Sequence, residues 1–193
     1  MSNKICSDVI LGIDPGTNIL GYSVIEIRDK TMSLIEINVI HLDKGLDHYA
    51  KLKRIFGQIN IIIREFKPTV MAIESPFFGK NVQSMLKLGR AQGVAITVAL
   101  SEDLPVFEYS PRKIKQSITG SGNASKEQVA AILSQLLKFD SKFLLADATD
   151  ALGVAVCHHF QNKTIVNSKV KVSGWKQFIS LHPDRIRPIK NNG

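Results

Sequence analysis

Four acidic side chains in this sequence stand where they could bind divalent metal ions. Two of them end short apolar runs, in Gly-Ile-Asp14 and Ala-Ile-Glu74, and Leu-Ala-Asp147 is followed three residues later by Asp150. Carboxylates that converge raise one another's pKa unless a cation neutralises them. Oxygen ligands alone suit Mg²⁺ or Mn²⁺ better than zinc, and two such ions about 4 Å apart can activate a water and stabilise the leaving oxygen of a phosphodiester. The pattern favours a metal-dependent nuclease.

Each acid also has an ordinary structural interpretation. Asp14 precedes Pro15 and could serve only to form a turn, while Glu74 could be a surface residue at the end of a strand. Asp147 and Asp150 could do no more than complement the dipole of a helix N-terminus. Taken singly, each acid fits the structural role better than the catalytic one. The nuclease hypothesis therefore depends on whether the three segments meet in the fold.

The hydrophobic pattern predicts five strands that would carry or flank these acids. Their ranges are 9–13, 20–27, 33–41, 69–73 and 105–109. Short connections between the first three predict an antiparallel meander. Asp14 and Glu74 would each follow a buried strand, at the position where α/β proteins place their sites.

Four helices are predicted between and after the strands. Apolar residues at three- and four-residue steps predict one helix over 51–66, stopped by Pro68, and another over 81–100. Ser125-Lys-Glu-Gln128 matches a capping box and predicts a helix through Leu137. The last predicted helix spans 147–160. The order βββαβαβαα predicts an α/β protein with a mixed sheet and helices against its faces.

The positive charge of the chain is unevenly distributed. The 193 residues carry a formal charge of +8. Residues 1–160 hold 18 Lys+Arg and 16 Asp+Glu, a net of +2, whereas residues 161–193 hold 7 Lys+Arg and 1 acid, a net of +6. We therefore predict one domain over 1–160 and a basic, flexible C-terminal tail over 161–193. Two roles for the tail stay open, namely nonspecific DNA affinity and a solvated extension.

Composition excludes several classes of protein. With 44% hydrophobic and 22% charged residues, the chain is not disordered throughout. No apolar run approaches the roughly 20 residues that span a bilayer, and the first residues do not form a signal peptide. Cys6 and Cys157 match no CxxC pattern. We expect a cytoplasmic protein with reduced cysteines.

Six short blocks of this sequence resemble the RuvC-type Holliday junction resolvases, which are crossover junction endodeoxyribonucleases. In chain order the blocks are Gly12-Ile-Asp-Pro-Gly-Thr17, Gly21-Tyr22, Ala72-Ile-Glu74, Leu86-Lys-Leu-Gly89-Arg-Ala-Gln-Gly93, Tyr109-Ser-Pro-Arg-Lys-Ile-Lys115 and Ala146-Asp-Ala-Thr-Asp-Ala-Leu152. Together they cover roughly residues 8–160. The resemblance implies a ribonuclease-H-like fold, in which a mixed five-stranded sheet is flanked by helices.

The resemblance also implies an activity and its partners. The expected reaction is the resolution of four-way DNA junctions by paired, symmetric, metal-dependent nicks in recombination and repair, leaving 5′-phosphate and 3′-hydroxyl ends. The family's metal-binding and catalytic acids correspond to Asp14, Glu74, Asp147 and Asp150. These would hold two Mg²⁺ per active site, with Mn²⁺ able to substitute. A homodimer and a branch-migration motor complex are the expected protein partners.

Further residues are predicted to contact DNA or the second subunit. Phe77 could stack on an unpaired base at an opened junction, although an aromatic side chain there could instead anchor its loop. Four basic residues could bind phosphates or form an ordinary solvated surface, namely Lys80, Arg112, Lys115 and Lys126. The resemblance favours phosphate binding by Lys115 and Lys126. Gly89 and Gly93 would permit close helix packing, most often within a domain, and the resemblance favours a subunit contact.

Two other functions fit parts of the pattern. ATPases of the actin and sugar-kinase type also hold phosphate at an Asp-x-Gly-Thr turn between two strands. They need two such domains, and this chain is too short for that. The other alternative is a junction-binding module without catalysis, against which the four intact acids weigh.

Overall fold

The computed structural model of this chain describes residues 7–29, 31–76, 81–139 and 145–167, with side chains as far as Asn162. Five strands lie within these residues: β1 Asp8–Asp14, β2 Ile19–Arg28, β3 Thr31–His41, β4 Val70–Glu74 and β5 Val106–Tyr109. Five helices lie there as well: α1 His48–Phe66, α2 Val82–Ser101, α3 Pro111–Thr119, α4 Lys126–Leu137 and α5 Ala146–Asn167.

The strands form one mixed sheet in the order β3-β2-β1-β4-β5. The pairs β1–β2 and β2–β3 are antiparallel, so the predicted meander is confirmed. β4 pairs with β1 and β5 pairs with β4, both in parallel. The predicted fold class, a mixed five-stranded sheet flanked by helices, is therefore confirmed.

Alternate side chains of the central strands pack on opposite faces of the sheet. Leu11 and Ile13 of β1 pack in one core with residues of α1 and α2. Ile10 of β1 and Ala72 of β4 pack in a second core with residues of α3, α4 and α5. Successive side chains of a strand point to opposite faces, so this division decides which face each strand-end residue addresses.

Local hydrogen bonds set where two of the helices begin. The capping box predicted at the start of α4 is confirmed, because the Ser125 side chain accepts from the Gln128 backbone N–H and the Gln128 side chain accepts from the Ser125 N–H. α1 begins after Asp47, whose carboxylate accepts from the Ala50 N–H. A side-chain oxygen at this position satisfies an amide that the helix leaves unpaired.

The sequence-based assignment missed helix α3 and was wrong to leave 111–119 without an element. Ser110 caps this helix by accepting from the Lys113 N–H, Pro111 occupies its first turn, and Gly120 ends it at φ 79°. These are strong helix start and stop signals. Apolar periodicity did not reveal the helix because Ile114 is its one buried residue.

The chain divides into two compact units, Met1–Gln161 and Asn162–Gly193. Residues 168–193, most of the predicted tail, lie outside the described part of the chain. The basic, flexible tail over 161–193 stays a prediction. Among the described residues, no helix combines the length and the apolar character that crossing a membrane requires.

Candidate active site

Asp14 and Glu74 end neighbouring parallel strands at one edge of the sheet. The β1–β4 pairing runs to Ile13 opposite Ile73, and each acid is the next residue. Neighbouring strands lie about 4.8 Å apart, so the two carboxylates begin close together. Each acid is an even number of residues from Ile10 or Ala72 on its own strand, so both address the face covered by α3, α4 and α5.

Two glycines allow α5 to bring the other acids to this edge. A Cβ at Gly21, which pairs with Asp14, would lie 1.9 Å from the backbone oxygen of Asp147. A Cβ at Gly12 would lie 2.3 Å from the backbone oxygen of Ala151. A residue without a side chain is therefore needed at both positions for α5 to approach β1 and β2 so closely. The sequence reasoning used these glycines only as parts of motifs and missed this role.

A buried hydrogen bond further fixes α5 on the sheet. The Ser23 hydroxyl of β2 donates to the backbone oxygen of Ala151 across 3.1 Å. Ser23 is fully buried, so this bond is sheltered from competing water. Because Ala151 directly follows Asp150, the bond anchors the helix turn that carries the fourth acid.

The charges of the acids interact strongly. The pKa of Asp14 is raised to about 8, mainly by burial and then by the neighbouring charges of Glu74, Asp150 and Asp147 in that order. Burial and, to a lesser extent, the charge of Asp150 together raise the pKa of Glu74 to about 7. Burial and the neighbouring carboxylates both disfavour the ionised form of Asp14 and of Glu74. The structure therefore brings together all four predicted acids in a site that favours an added cation.

Two of the predicted basic residues reach the same site. Lys126 Nζ forms an ion pair and hydrogen bond with Asp150, and this bond raises the pKa of the lysine. Lys126 and Lys115 both lower the pKa of Glu74. A cleft of about 160 Å³ is lined by these two lysines together with Glu74 and Asp150. Positive charge therefore lies beside the carboxylates, where a phosphate could be held.

Arg112, the other predicted DNA contact within the described residues, is not brought into this cleft. Arg112 is exposed on α3, outside the lining of the cleft, and its stem lies against Gly122. Phe77 and Lys80 lie outside the described residues. These three remain predictions.

The acids are close enough to interact but are not arranged as a finished metal site. In the described part of the chain, no group of three or more His, Cys, Asp and Glu side chains is positioned to hold a metal ion. Asp150 instead contacts the ammonium of Lys126. A shift of that lysine toward a bound phosphate would free an oxygen of Asp150.

Gln92 supports the strand end that carries Glu74, a role the sequence reasoning missed. This side chain, 6% exposed on α2, donates to Glu108 Oε2 at 2.8 Å and to the backbone oxygen of Glu74 at 3.4 Å. A glutamine on the buried side of a helix was the available signal, since a buried amide needs partners. The bond supports β4 from the face opposite the carboxylates.

The sheet combines the parallel β1–β4 pair with an antiparallel meander, and the acids lie at one edge of it. This arrangement is that of a ribonuclease-H-like α/β nuclease. The family described as "Crossover junction endodeoxyribonuclease RuvC" matches residues 10–158. The chain belongs to this family.

Individual relatives agree with the family match. A crossover junction endodeoxyribonuclease RuvC of Cytophaga hutchinsonii is 57% identical over 97% of this chain and 92% of its own. One of Porphyromonas gingivalis is 51% identical over 93% of this chain and 97% of its own. Among solved structures, Thermus thermophilus RuvC in complex with Holliday junction substrate has a TM-score of 0.76 at 28% identity, covering 81% of this chain and 96% of that chain. The expected family, fold and endonuclease class are confirmed.

Proposed function

We propose that this chain resolves four-way DNA junctions by hydrolysing phosphodiester bonds at the site formed by Asp14, Glu74, Asp147 and Asp150. The observation that carries this proposal is the mutual electrostatic effect of the four acids, supplied by three separate elements at one edge of the sheet. A site with so many carboxylates and raised pKa values is a strong candidate for catalysis. Relatives described as crossover junction endodeoxyribonucleases support the choice of substrate.

The carboxylates fit Mg²⁺ or Mn²⁺. They offer oxygen ligands alone. Burial is the main cause of the raised pKa values of Asp14 and Glu74, and the negative charge of the neighbouring acids, which a divalent cation would neutralise, adds to it. The four acids would hold the ions, and we expect two in each site. When bound, Mg²⁺ supplies an activated water and stabilises the charge of the leaving oxygen.

The two lysines would hold the DNA phosphate beside the acids. Lys115 and Lys126 line the cleft, and their ammonium groups can pair with the non-bridging oxygens of the scissile phosphate. In-line attack by the oxygen of a water molecule on that phosphorus would break the bond to the 3′ oxygen. The water gives up a proton and the departing 3′ oxygen gains one, so the products carry 5′-phosphate and 3′-hydroxyl ends. Lys126 would exchange its bond to Asp150 for one to the phosphate.

A homodimer would supply two such sites for two symmetric nicks. The α2 helix supports this arrangement, because Val82, Leu86 and Leu100 are 66%, 52% and 59% exposed. A Cβ at Gly89 or Gly93 would meet no atom within 4 Å. An apolar face with small residues allows a second helix to approach closely. The branch-migration motor complex stays a prediction.

A synthetic four-way junction tests the function directly. The protein with Mg²⁺ is expected to nick two opposing strands symmetrically, and EDTA is expected to abolish nicking. Asp14→Asn should bind the junction without nicking it. The matched control is Asp43→Asn, since Asp43 lies on the surface and pairs with Arg54, at 3.5 Å. If the wild-type chain binds junctions but never nicks them, the non-catalytic alternative is correct.

A further inference from the structure

A second cavity, of about 310 Å³, is lined in part by Thr17 and Asn18 of the β1–β2 turn, which follows Asp14. Three lysines from three separate segments line it, Lys44, Lys51 and Lys87. Among the residues that the structure describes, none of the three forms an ion pair with an acid. Three positive charges around one cavity repel one another, so the cavity favours an anion.

The lining supplies hydrogen-bonding groups as well as charge. Thr17, Asn18 and Ser84 also line the cavity. Lys51 Nζ donates to the backbone oxygen of Thr17 at 3.2 Å and to Asn18 Oδ1 at 2.9 Å. Both acceptors are neutral, so they hold the ammonium in place and leave its charge available. This lysine is pre-positioned on the turn that follows Asp14.

Two helix N-termini meet at the same cavity. His48 begins α1, Ser84 lies in the first turn of α2, and both line the cavity. Helix N-termini attract anions, phosphates above all, and the first turn of neither helix carries an acid. Asp47, which caps α1, places one carboxylate at this helix N-terminus, and Asp43 pairs with Arg54. The three lysines therefore outnumber the acids near the cavity.

The distance to the acids suits a continuous DNA strand. Thr17 is three residues beyond Asp14, so their Cα atoms are at most about 11 Å apart. A DNA strand advances roughly 3.4 Å per nucleotide along the helix axis. If one phosphate of a DNA strand lies at the acids, another phosphate about three nucleotides along the same strand could lie in the cavity.

We propose that this cavity binds a backbone phosphate of the strand being cut, using Lys44, Lys51 and Lys87. It would fix the register of the strand on the sheet edge without reading a base, as phosphate contacts do. The inference rests on the proposed junction-resolving function and adds a contact site that is separate from the acids and from Lys115 and Lys126.

The test measures how binding of a labelled four-way junction depends on salt, with EDTA present so that no strand is cut. Lys44→Gln and Lys87→Gln should each lower the slope of log K against log salt by about 0.9 per occupied cavity. That corresponds to roughly 8-fold weaker binding at 0.1 M salt. Lys53→Gln is the matched control, because Lys53 is exposed on α1 outside the cavity and its loss removes the same charge. Lys51 is left unchanged because it also holds the turn.

Three outcomes separate the possible explanations. An unchanged slope in both cavity variants, with wild-type binding and nicking intact, overturns this inference alone. If the wild-type chain neither binds nor nicks junctions, the proposed function fails instead. If inorganic phosphate at constant ionic strength raises the Tm of wild type but not of Lys87→Gln, while the junction slope is unchanged, the cavity serves a free phosphate compound and the inference is also overturned.

Discussion

Gly21→Ala tests how the acids are brought together. The added Cβ would lie 1.9 Å from the Asp147 backbone oxygen and 2.4 Å from its carbonyl carbon. Real Cβ contacts essentially never fall below 3.0 Å, so the first turn of α5 must move away from β2 by at least about 1 Å. The neighbouring atoms belong to the backbone and cannot rotate aside.

The movement should affect catalysis more than folding. A misplacement of about 1 Å can cost roughly 100-fold in rate, because Asp147 and Asp150 would no longer reach the geometry that Asp14 and Glu74 require. Overpacking of this kind destabilises by about 1–3 kcal/mol, and each kcal/mol lowers the Tm of a domain this size by about 2–4 °C. We therefore expect a folded variant with severely reduced nicking.

The assay combines nicking rates at saturating Mg²⁺ with thermal unfolding. Gly57→Ala is the matched control, because Gly57 lies in α1 and a Cβ there would meet no atom within 4 Å. That variant should nick normally and gain up to about 1 kcal/mol of stability from helix propensity. If folded Gly21→Ala nicks within about threefold of wild type, the close approach of α5 does not position the acids.

Two further predictions concern the acids, and a third concerns the exposed face of α2. The pKa of Asp14 is raised from 3.8 to about 8, so between these pH values the folded protein without Mg²⁺ holds more protons than the unfolded chain. Its Tm should therefore fall as the pH rises from 5 to 8. Mg²⁺ should raise the Tm more at pH 8 than at pH 6. A pH-independent Mg²⁺ effect would contradict this. Lys126→Met, with Lys53→Met as its control, should move the pH of half-maximal nicking upward, because Lys126 lowers the pKa of both Asp14 and Glu74; an unmoved profile would refute that coupling. Leu86→Glu should yield monomers in analytical ultracentrifugation, whereas Leu136→Glu on the exposed face of α4 should not; equal effects would argue against an α2 interface.

The sequence revealed the acids because their local pattern is strong. Asp14 and Glu74 each end a short buried strand, and the end of a strand can be recognised from the residues on either side of it. The capping box at Ser125 was likewise a local signal. Each acid is an even number of residues from a buried residue on its own strand. Strand geometry alone then determines toward which face of the sheet its side chain points.

Contacts between distant segments could not be read in the same way. The need for glycine at position 21 comes from the Asp147 backbone, which is remote in the chain. Gln92 supports Glu74 from a different helix. The lysine cavity draws one side chain each from the β3–α1 connection, α1 and α2, and no sequence pattern joins them. Only the packed fold shows these neighbours.

The most direct test of the account is the reaction of Asp14→Asn with a four-way junction. We expect this variant to bind the junction as tightly as wild type in EDTA and to produce no paired nicks with Mg²⁺, while Asp43→Asn should nick at the wild-type rate. Paired nicking by Asp14→Asn at a rate near that of wild type would contradict the assignment of the site.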